Sequence, residues 1–290
     1  MKIQGLYTAL VTPFKNGEID FDKLTEMVEF QIRNGVDGIS PVGTTGESPT
    51  LSFEEHEDVI SHVVNVADGR CKVMAGSGAN STEEAIRLTK HAKAYGADYS
   101  LQVAPYYNKP TQEGLYRHFA TIADTCDLPL VLYNVPGRSG VSIAPETIAR
   151  LYKGHNIAGV KEAAGSVERV SEILALCDVP VLSGDDSLTV PMMSVGAVGV
   201  VSVASNLIPK EIKELVDFCL NGDFISARER HHQLFKFFKA MFVETNPIPV
   251  KAAMALRGMI EEEYRLPLCQ PSDKNREFLR NILEGVPVDC

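Results

Sequence analysis

The sequence predicts a (β/α)8 TIM barrel with an extra C-terminal helical bundle. Three observations predict it. Eight short apolar runs rich in β-branched residues recur along the 290 residues. Longer helical segments, several with recognisable start signals, separate them. After the eighth run the chain is mostly helical, and a barrel needs only one of those helices. A doubly wound open sheet is the competing architecture. It lacks support, because no G-x-G-x-x-G follows the first run and "GSG" at 76–78 is too short to count.

The first run is "LYTALV" (6–11), followed by "GISPV" (38–42), "KVMAG" (72–76) and "YSLQVA" (99–104). Then come "LVLYNV" (130–135), "IAGVK" (157–161), "VPVLS" (179–183) and "GVVSV" (199–203). Several are apolar without alternation, as expected of parallel strands covered on both faces. "SFEE" from Ser52 and "STEE" from Ser81 fit the capping box, with Glu55 and Glu84 reaching back to the cap. Pro145 suits a first helical turn, and the glycines of "NG" (34–35) and "YG" (95–96) suit helix ends. Beyond residue 210, "KEIKELVDFCLNG", "FISARERHHQLFKFFKAMF", "PVKAAMALRGM" and "DKNREFLRNIL" read as helices. The expected division is a catalytic barrel over 1–222 and a helical extension over 223–290.

Composition narrows the function. An apolar fraction of 44% and a charged fraction of 23% are ordinary for a soluble globular chain. A formal net charge of -10 argues against a nucleic-acid binder, which needs a basic face to release counterions. The N-terminal "MKIQGLYTALVTPF" reads as a first strand rather than a signal peptide. The most membrane-like stretch, "TVPMMSVGAVGVVSVASNLI", is interrupted by glycine, serine and asparagine and reads as helix end, turn and buried strand. Cysteines 71, 126, 177, 219, 269 and 290 form no C-x-x-C pair. They read as small buried hydrophobes of a reduced, cytoplasmic protein.

In such a barrel the active site forms at the C-terminal ends of the strands. There stand "GTTGES" after run two, "PYYNKP" after run four, Tyr133 with "PGRSG" at run five, Lys161 at the end of run six, "GDDS" after run seven and "ASN" after run eight. A rim lysine keeps company with other solvated charges, whereas Lys161 is surrounded by tyrosine, threonine, alanine and glycine. Burial disfavours an ammonium, and a neutral amine attacks a carbonyl to give a Schiff base. Tyr133, at the same height on the adjacent strand, is placed to move protons. The glycine-flanked "GTTGES" turn offers consecutive N–H groups as an anion nest, although glycine-rich βα turns are also common without a ligand.

Metal chemistry fits poorly. The histidines, at 56, 62, 91, 118, 155, 231 and 232, all fall in expected helices or loops away from the strand ends. Asp185 and Asp186 without histidines make a poor zinc site. The loops after runs seven and eight lack the glycine-rich phosphate cup of a pyridoxal-phosphate enzyme.

"GTTGES" (43–48), "PYYNKPTQEG" (105–114), "LYNVPGRSG" (132–140), "GVKEAAGS" (159–166) and "NPIPVK" (246–251) together resemble the dihydrodipicolinate synthase (4-hydroxy-tetrahydrodipicolinate synthase) family of class I pyruvate-dependent aldolases. The resemblance runs the whole length, in the family's order and spacing. It implies condensation of pyruvate with L-aspartate 4-semialdehyde through an imine on Lys161, with no external cofactor. It makes Tyr133, Thr44 and Tyr107 the proton relay, Tyr107 coming from a neighbouring subunit. Backbone groups of Thr44 and Thr45 hold the pyruvate carboxylate, Gly184 and Val201 line the pocket, and Arg138 grips the semialdehyde carboxylate.

N-acetylneuraminate lyase and keto-deoxy sugar acid aldolases share the lysine and the tyrosine, but the arginine of "PGRSG" is a feature of the synthases. The resemblance further implies a homotetramer built as a dimer of dimers, and inhibition by L-lysine at an interface through Ser48, His56, Asn80, Glu84 and Tyr106. Phe53, where sensitive members often have histidine, and Pro49 depart from that pattern and imply weaker inhibition.

Overall fold

A computed structural model describes residues 3–285 of the chain. Met1, Lys2 and residues 286–290, among them Cys290, lie outside the described residues. All eight expected runs form strands: β1 (Gly5–Ala9), then, after the short pair β2 (Phe14–Lys15) and β3 (Glu18–Ile19), β4 (Gly38–Ser40), β5 (Lys72–Gly76), β6 (Tyr99–Val103), β7 (Leu130–Asn134), β8 (Ile157–Glu162), β9 (Val181–Ser183) and β10 (Gly199–Ser202). The eight pair in parallel in chain order, and β1 joins both β10 and β4 to close the barrel. β1 and β7 are buried at every position, which explains why their sequences are apolar without alternation.

Helices cover the barrel: α1 (Phe21–Arg33), α2 (Phe53–Ala67), α3 (Thr82–Tyr95), α4 (Gln112–Cys126), the single turn α5 (Pro136–Ser139), α6 (Pro145–Gly154), α7 (Glu168–Leu174), α8 (Thr189–Ser194) and α9 (Pro209–Leu220). Ser52 and Glu55 form the reciprocal capping box that starts α2. At α3 only half of the expected box exists. Ser81 accepts from the Glu84 N–H at 3.4 Å, while the Glu84 side chain turns towards a cavity instead of back to the cap.

Three further helices follow, α10 (Phe224–Ala240), α11 (Ile248–Leu256) and α12 (Asp273–Glu284); α10 packs against α9, and α12 packs against both α10 and α11. Residue 222 lies in the turn between α9 and α10. The apolar core nevertheless continues from barrel residues such as Leu6 and Val160 into Phe237, Val250 and Leu279 of the extension. Among the described residues no helix is long and apolar enough to cross a membrane.

The β2–β3 hairpin was not among the expected elements. It turns at Asn16 and Gly17, both with positive φ (54° and 86°), as a two-residue hairpin loop of this hand requires. Cys71, Cys126 and Cys219 are buried as expected, but Cys269 is exposed, in the irregular stretch before α12. Asp186 is the carboxylate that fixes the ends of β9 and β10 together. It accepts from the Ser202 hydroxyl and from the N–H groups of Val203 (3.1 Å) and Ala204 (3.0 Å). Burial nonetheless pushes its carboxyl up to about 6. Asp186→Ala leaves those three donors unanswered in the core. Urea denaturation of the variant is expected to show a loss of about 3 kcal/mol; a loss under ~1 kcal/mol would mean that water replaces the carboxylate.

Candidate active site

Strand register creates the centre of the site. Tyr133 of β7 is the direct partner of Lys161 of β8, so both side chains enter the barrel at one height. Both are 6% exposed, and Lys161 Nζ lies 4.2 Å from the centroid of the Tyr133 ring. The next residues point the other way. Glu162 is fully buried, and its carboxylate takes both oxygens to Asn134 Nδ2 (3.0 and 2.9 Å) and one to the Ala164 N–H. Burial raises its pKa, opposed by those donors and by Arg169.

Gly184, just past β9, packs against the stem of Lys161. A Cβ there would stand 2.7 Å from the Ala163 Cβ and 3.2 Å from Lys161 Cε, so a side chain would displace the lysine stem. Val201 follows Val200, the partner of Ser183, and so stands level with Gly184; it is 1% exposed.

The turn after β4 supplies the threonines. The N–H groups of Gly46, Glu47 and Ser48 return to Gly43 and Thr44 carbonyls and leave Thr44 and Thr45 at the apex. Thr45 is buried, and its hydroxyl accepts from Asn246 Nδ2 at 3.0 Å. The Asn246 carbonyl in turn accepts from Arg138 Nη2 at 3.0 Å. Asn246, at the threshold of α11, thus ties a barrel turn to the exposed arginine of α5. Its motif was recognised in the sequence, but its bridging role was not.

Thr44, Tyr133 and Arg138 line a cavity of about 780 Å3 that also reaches Ser48, His56, Glu84 and Tyr106. Thr44, Tyr133 and Arg138 therefore share one space with residues expected to bind a regulator, while Lys161 is not on the wall and lies behind the Tyr133 ring. Asn80 stands beside it, donating to the Tyr106 carbonyl at 3.1 Å. Tyr107 does not join its own cavity. It is 91% exposed with φ +73°, a left-handed conformation uncommon for a bulky residue.

The model of the dihydrodipicolinate synthetase family matches residues 2–286. The chain belongs to this family. It is 56% identical to a 4-hydroxy-tetrahydrodipicolinate synthase of Hydrogenobaculum sp. (strain Y04AAS1), covering 97% of this chain and 98% of that one. Among solved structures, the dihydrodipicolinate synthase of Aquifex aeolicus superposes with a TM-score of 0.97 at 51% identity, covering 99% of this chain and 100% of that one. A structure of the Cyanidioschyzon merolae enzyme with lysine bound superposes with a TM-score of 0.94 at 41% identity, covering 97% of each chain.

The histidines of this dihydrodipicolinate synthetase family member need one correction. His56 does approach a strand end: its Nε2 is 2.8 Å from the carbonyl of Gly76, the last residue of β5. The turn between β4 and α2 folds the helix start over that strand, which the position of His56 in a helix did not reveal. Burial lowers its pKa. Phe53, also on the cavity wall, lies under the Arg87 guanidinium, 4.1 Å from its centroid. His118 sits in α4 with Nδ1 2.8 Å from the Thr82 hydroxyl, and burial depresses its imidazole from 6.5 to about 4.

The His118 shift has a sign that denaturation can check. The imidazole stays neutral in the fold while the unfolded chain binds a proton near its ordinary value. The contribution is complete above pH about 6.5 and is lost as pH falls towards 4, reaching ~3 kcal/mol. Urea midpoints measured from pH 7 to pH 4 are expected to fall more steeply for the native chain than for His118→Asn. Parallel curves would mean that His118 is not the proton acceptor.

Proposed function

We propose that this chain condenses pyruvate with L-aspartate 4-semialdehyde to give 4-hydroxy-tetrahydrodipicolinate, the committed step towards diaminopimelate and lysine. One observation carries the mechanism: a buried lysine amine held against a buried tyrosine ring at the C-terminal end of a barrel strand. The amine of Lys161 attacks the pyruvate ketone and water leaves, forming an imine. Loss of a methyl proton gives an enamine, whose carbon attacks the aldehyde of the semialdehyde. The amine of the bound product then attacks the imine carbon, closes the ring and expels Lys161. One water is released per turnover, and no oxidant or reductant is needed.

Tyr133 and Thr44 share the cavity and serve the proton transfers. The Thr44–Thr45 apex receives the pyruvate carboxylate, while Gly184 and Val201 line the pocket around Lys161. Arg138, at the cavity mouth, offers a guanidinium fork to the second carboxylate. That fork favours the semialdehyde over the sugar acids taken by the related lyases. Tyr107, exposed and outside its own cavity, completes the relay of a neighbouring copy, so a homo-oligomer, a dimer of dimers, is part of the reading.

Pyruvate followed by borohydride is expected to add a reduced three-carbon unit to Lys161, read by peptide mass analysis. Lys161→Arg is expected to lose both the adduct and at least ~10³-fold in turnover, because a guanidinium stays protonated. An adduct on another lysine sinks the Schiff-base reading at this site.

The far end of the cavity takes L-lysine as inhibitor. Glu84 offers a carboxylate to an ammonium, and Ser48, His56, Asn80 and Tyr106 offer polar partners around it. Phe53 supplies an apolar wall where a second hydrogen-bonding histidine would strengthen binding. Losing one such contact is worth about 1 kcal/mol, or several-fold in affinity. Initial rates at fixed substrates are expected to fall with millimolar L-lysine, and Glu84→Ala is expected to abolish the effect. Equal inhibition of both proteins would place the inhibitor elsewhere.

A further inference from the structure

One buried charge has no part in the chemistry so far. Lys251 of α11 is 0% exposed, and its Nζ lies 2.5 Å from Glu47 Oε1, which is equally enclosed. The rings of Phe14 and Tyr264 flank the ammonium at 4.3 and 5.3 Å. Taking two charges out of water costs several kcal/mol per ion, and an apolar pair of similar volume is often as stable or more so. Stability is therefore a weak reason for this pair, and what it specifies must be sought in the geometry.

Glu47 belongs to the turn whose apex is Thr44 and Thr45. Its φ of +55° is left-handed, a conformation that costs a residue with a Cβ about 1–2 kcal/mol. The side chain holds the backbone there. One carboxylate oxygen meets Lys251, and the other accepts from the Arg265 N–H at 3.3 Å. The segment leading into α11 grips the same turn a second time, through Asn246 on the Thr45 hydroxyl, and it holds Arg138 through the Asn246 carbonyl. α11 and the segment leading into it are thus the common reference for the turn and for the arginine.

We propose that Lys251 is a positioning residue, which acts through Glu47 to hold the Thr44–Thr45 turn at the height where it meets pyruvate bound to Lys161. The proposal rests on the pyruvate-imine reading of the site. It assigns to α11 a function in substrate binding, exerted through Glu47. A charge that only stabilised the fold would change how much protein is folded. A charge that sets the turn changes how well the folded protein binds pyruvate.

The test is borohydride trapping over a range of pyruvate concentrations, on the full-length protein, with melting followed by circular dichroism. Two variants are compared with the native chain. The double variant Lys251→Met/Glu47→Gln removes both charges together, so no ion is left unpaired. Glu47→Asp keeps both charges and shortens the reach by one methylene, so it decides the matter if the double variant does not fold. Both are expected to raise the half-saturating pyruvate concentration about ten-fold, with a smaller change in the limiting trapping rate. Half-saturation within two-fold of the native value in the folded variants overturns the proposal, and so does a lower yield of adduct at unchanged half-saturation. Absence of any pyruvate adduct on native Lys161 overturns the imine reading itself and this proposal with it, an outcome distinct from trapping that the variants leave unaltered.

Discussion

The parallel register of β7 on β8 is the constraint from which the site follows. Side chains alternate along a strand, so a slip of one residue would send Lys161 outward among the helices and bring Glu162 into the barrel. The pair behind the site guards against that slip. Asn134 is the register partner of Glu162, and its amide spans both carboxylate oxygens. A buried carboxylate is costly unless its lone pairs are answered. In the slipped register both the carboxylate and the amine would lose their surroundings at once. The Tyr133–Lys161 pair and the Asn134–Glu162 pair are therefore successive rungs of one ladder, each excluding the other's position.

The C-terminal extension is bound into the barrel by more than apolar contact. Arg265 spans the Glu55 carboxylate at 2.6 and 2.5 Å and also reaches the carbonyls of Thr50 (3.0 Å) and Gly17 (2.9 Å). Its guanidinium lies over Phe14, 4.4 Å from the ring centroid. Gly17 in turn donates to Glu263 at 2.6 Å. One planar fork thus joins the hairpin near the N-terminus, the turn before α2 and the stretch after α11. Arginine suits that task because its five donors diverge in a fixed plane, which a lysine cannot reproduce.

Much of this was legible in the sequence because it rests on local patterning. The eight strands announced themselves as apolar runs, and Ser52 with Glu55 announced the start of α2. Lys161 stood out as a charge at the end of an apolar run. Other features were visible but passed over. "KNGE" at 15–18 carries the strongest short hairpin signal, yet it lies between the first run and a helix and drew no attention. Lys251 in "NPIPVKAAMAL" is a lone charge in an apolar helix, which already demands a buried partner. What no local pattern could reveal is the identity of that partner, 204 residues away, or the approach of His56 to Gly76. Those depend on how turns fold over strand ends.

The shared cavity gives the two ends of the site a thermodynamic relation. The segment that carries Tyr106 is braced on Asn80, and the turn that carries Thr44 continues directly into Ser48. The stretch from Thr44 to Ser48 therefore belongs to both ends of the cavity. Linkage is reciprocal for binding free energies: by whatever factor an occupant of the Glu84 end alters the hold on pyruvate, pyruvate alters the hold on that occupant. Where that factor differs from one, the concentration that half-fills either end depends on how full the other is, so neither end can be characterised at a single fixed occupancy of its neighbour.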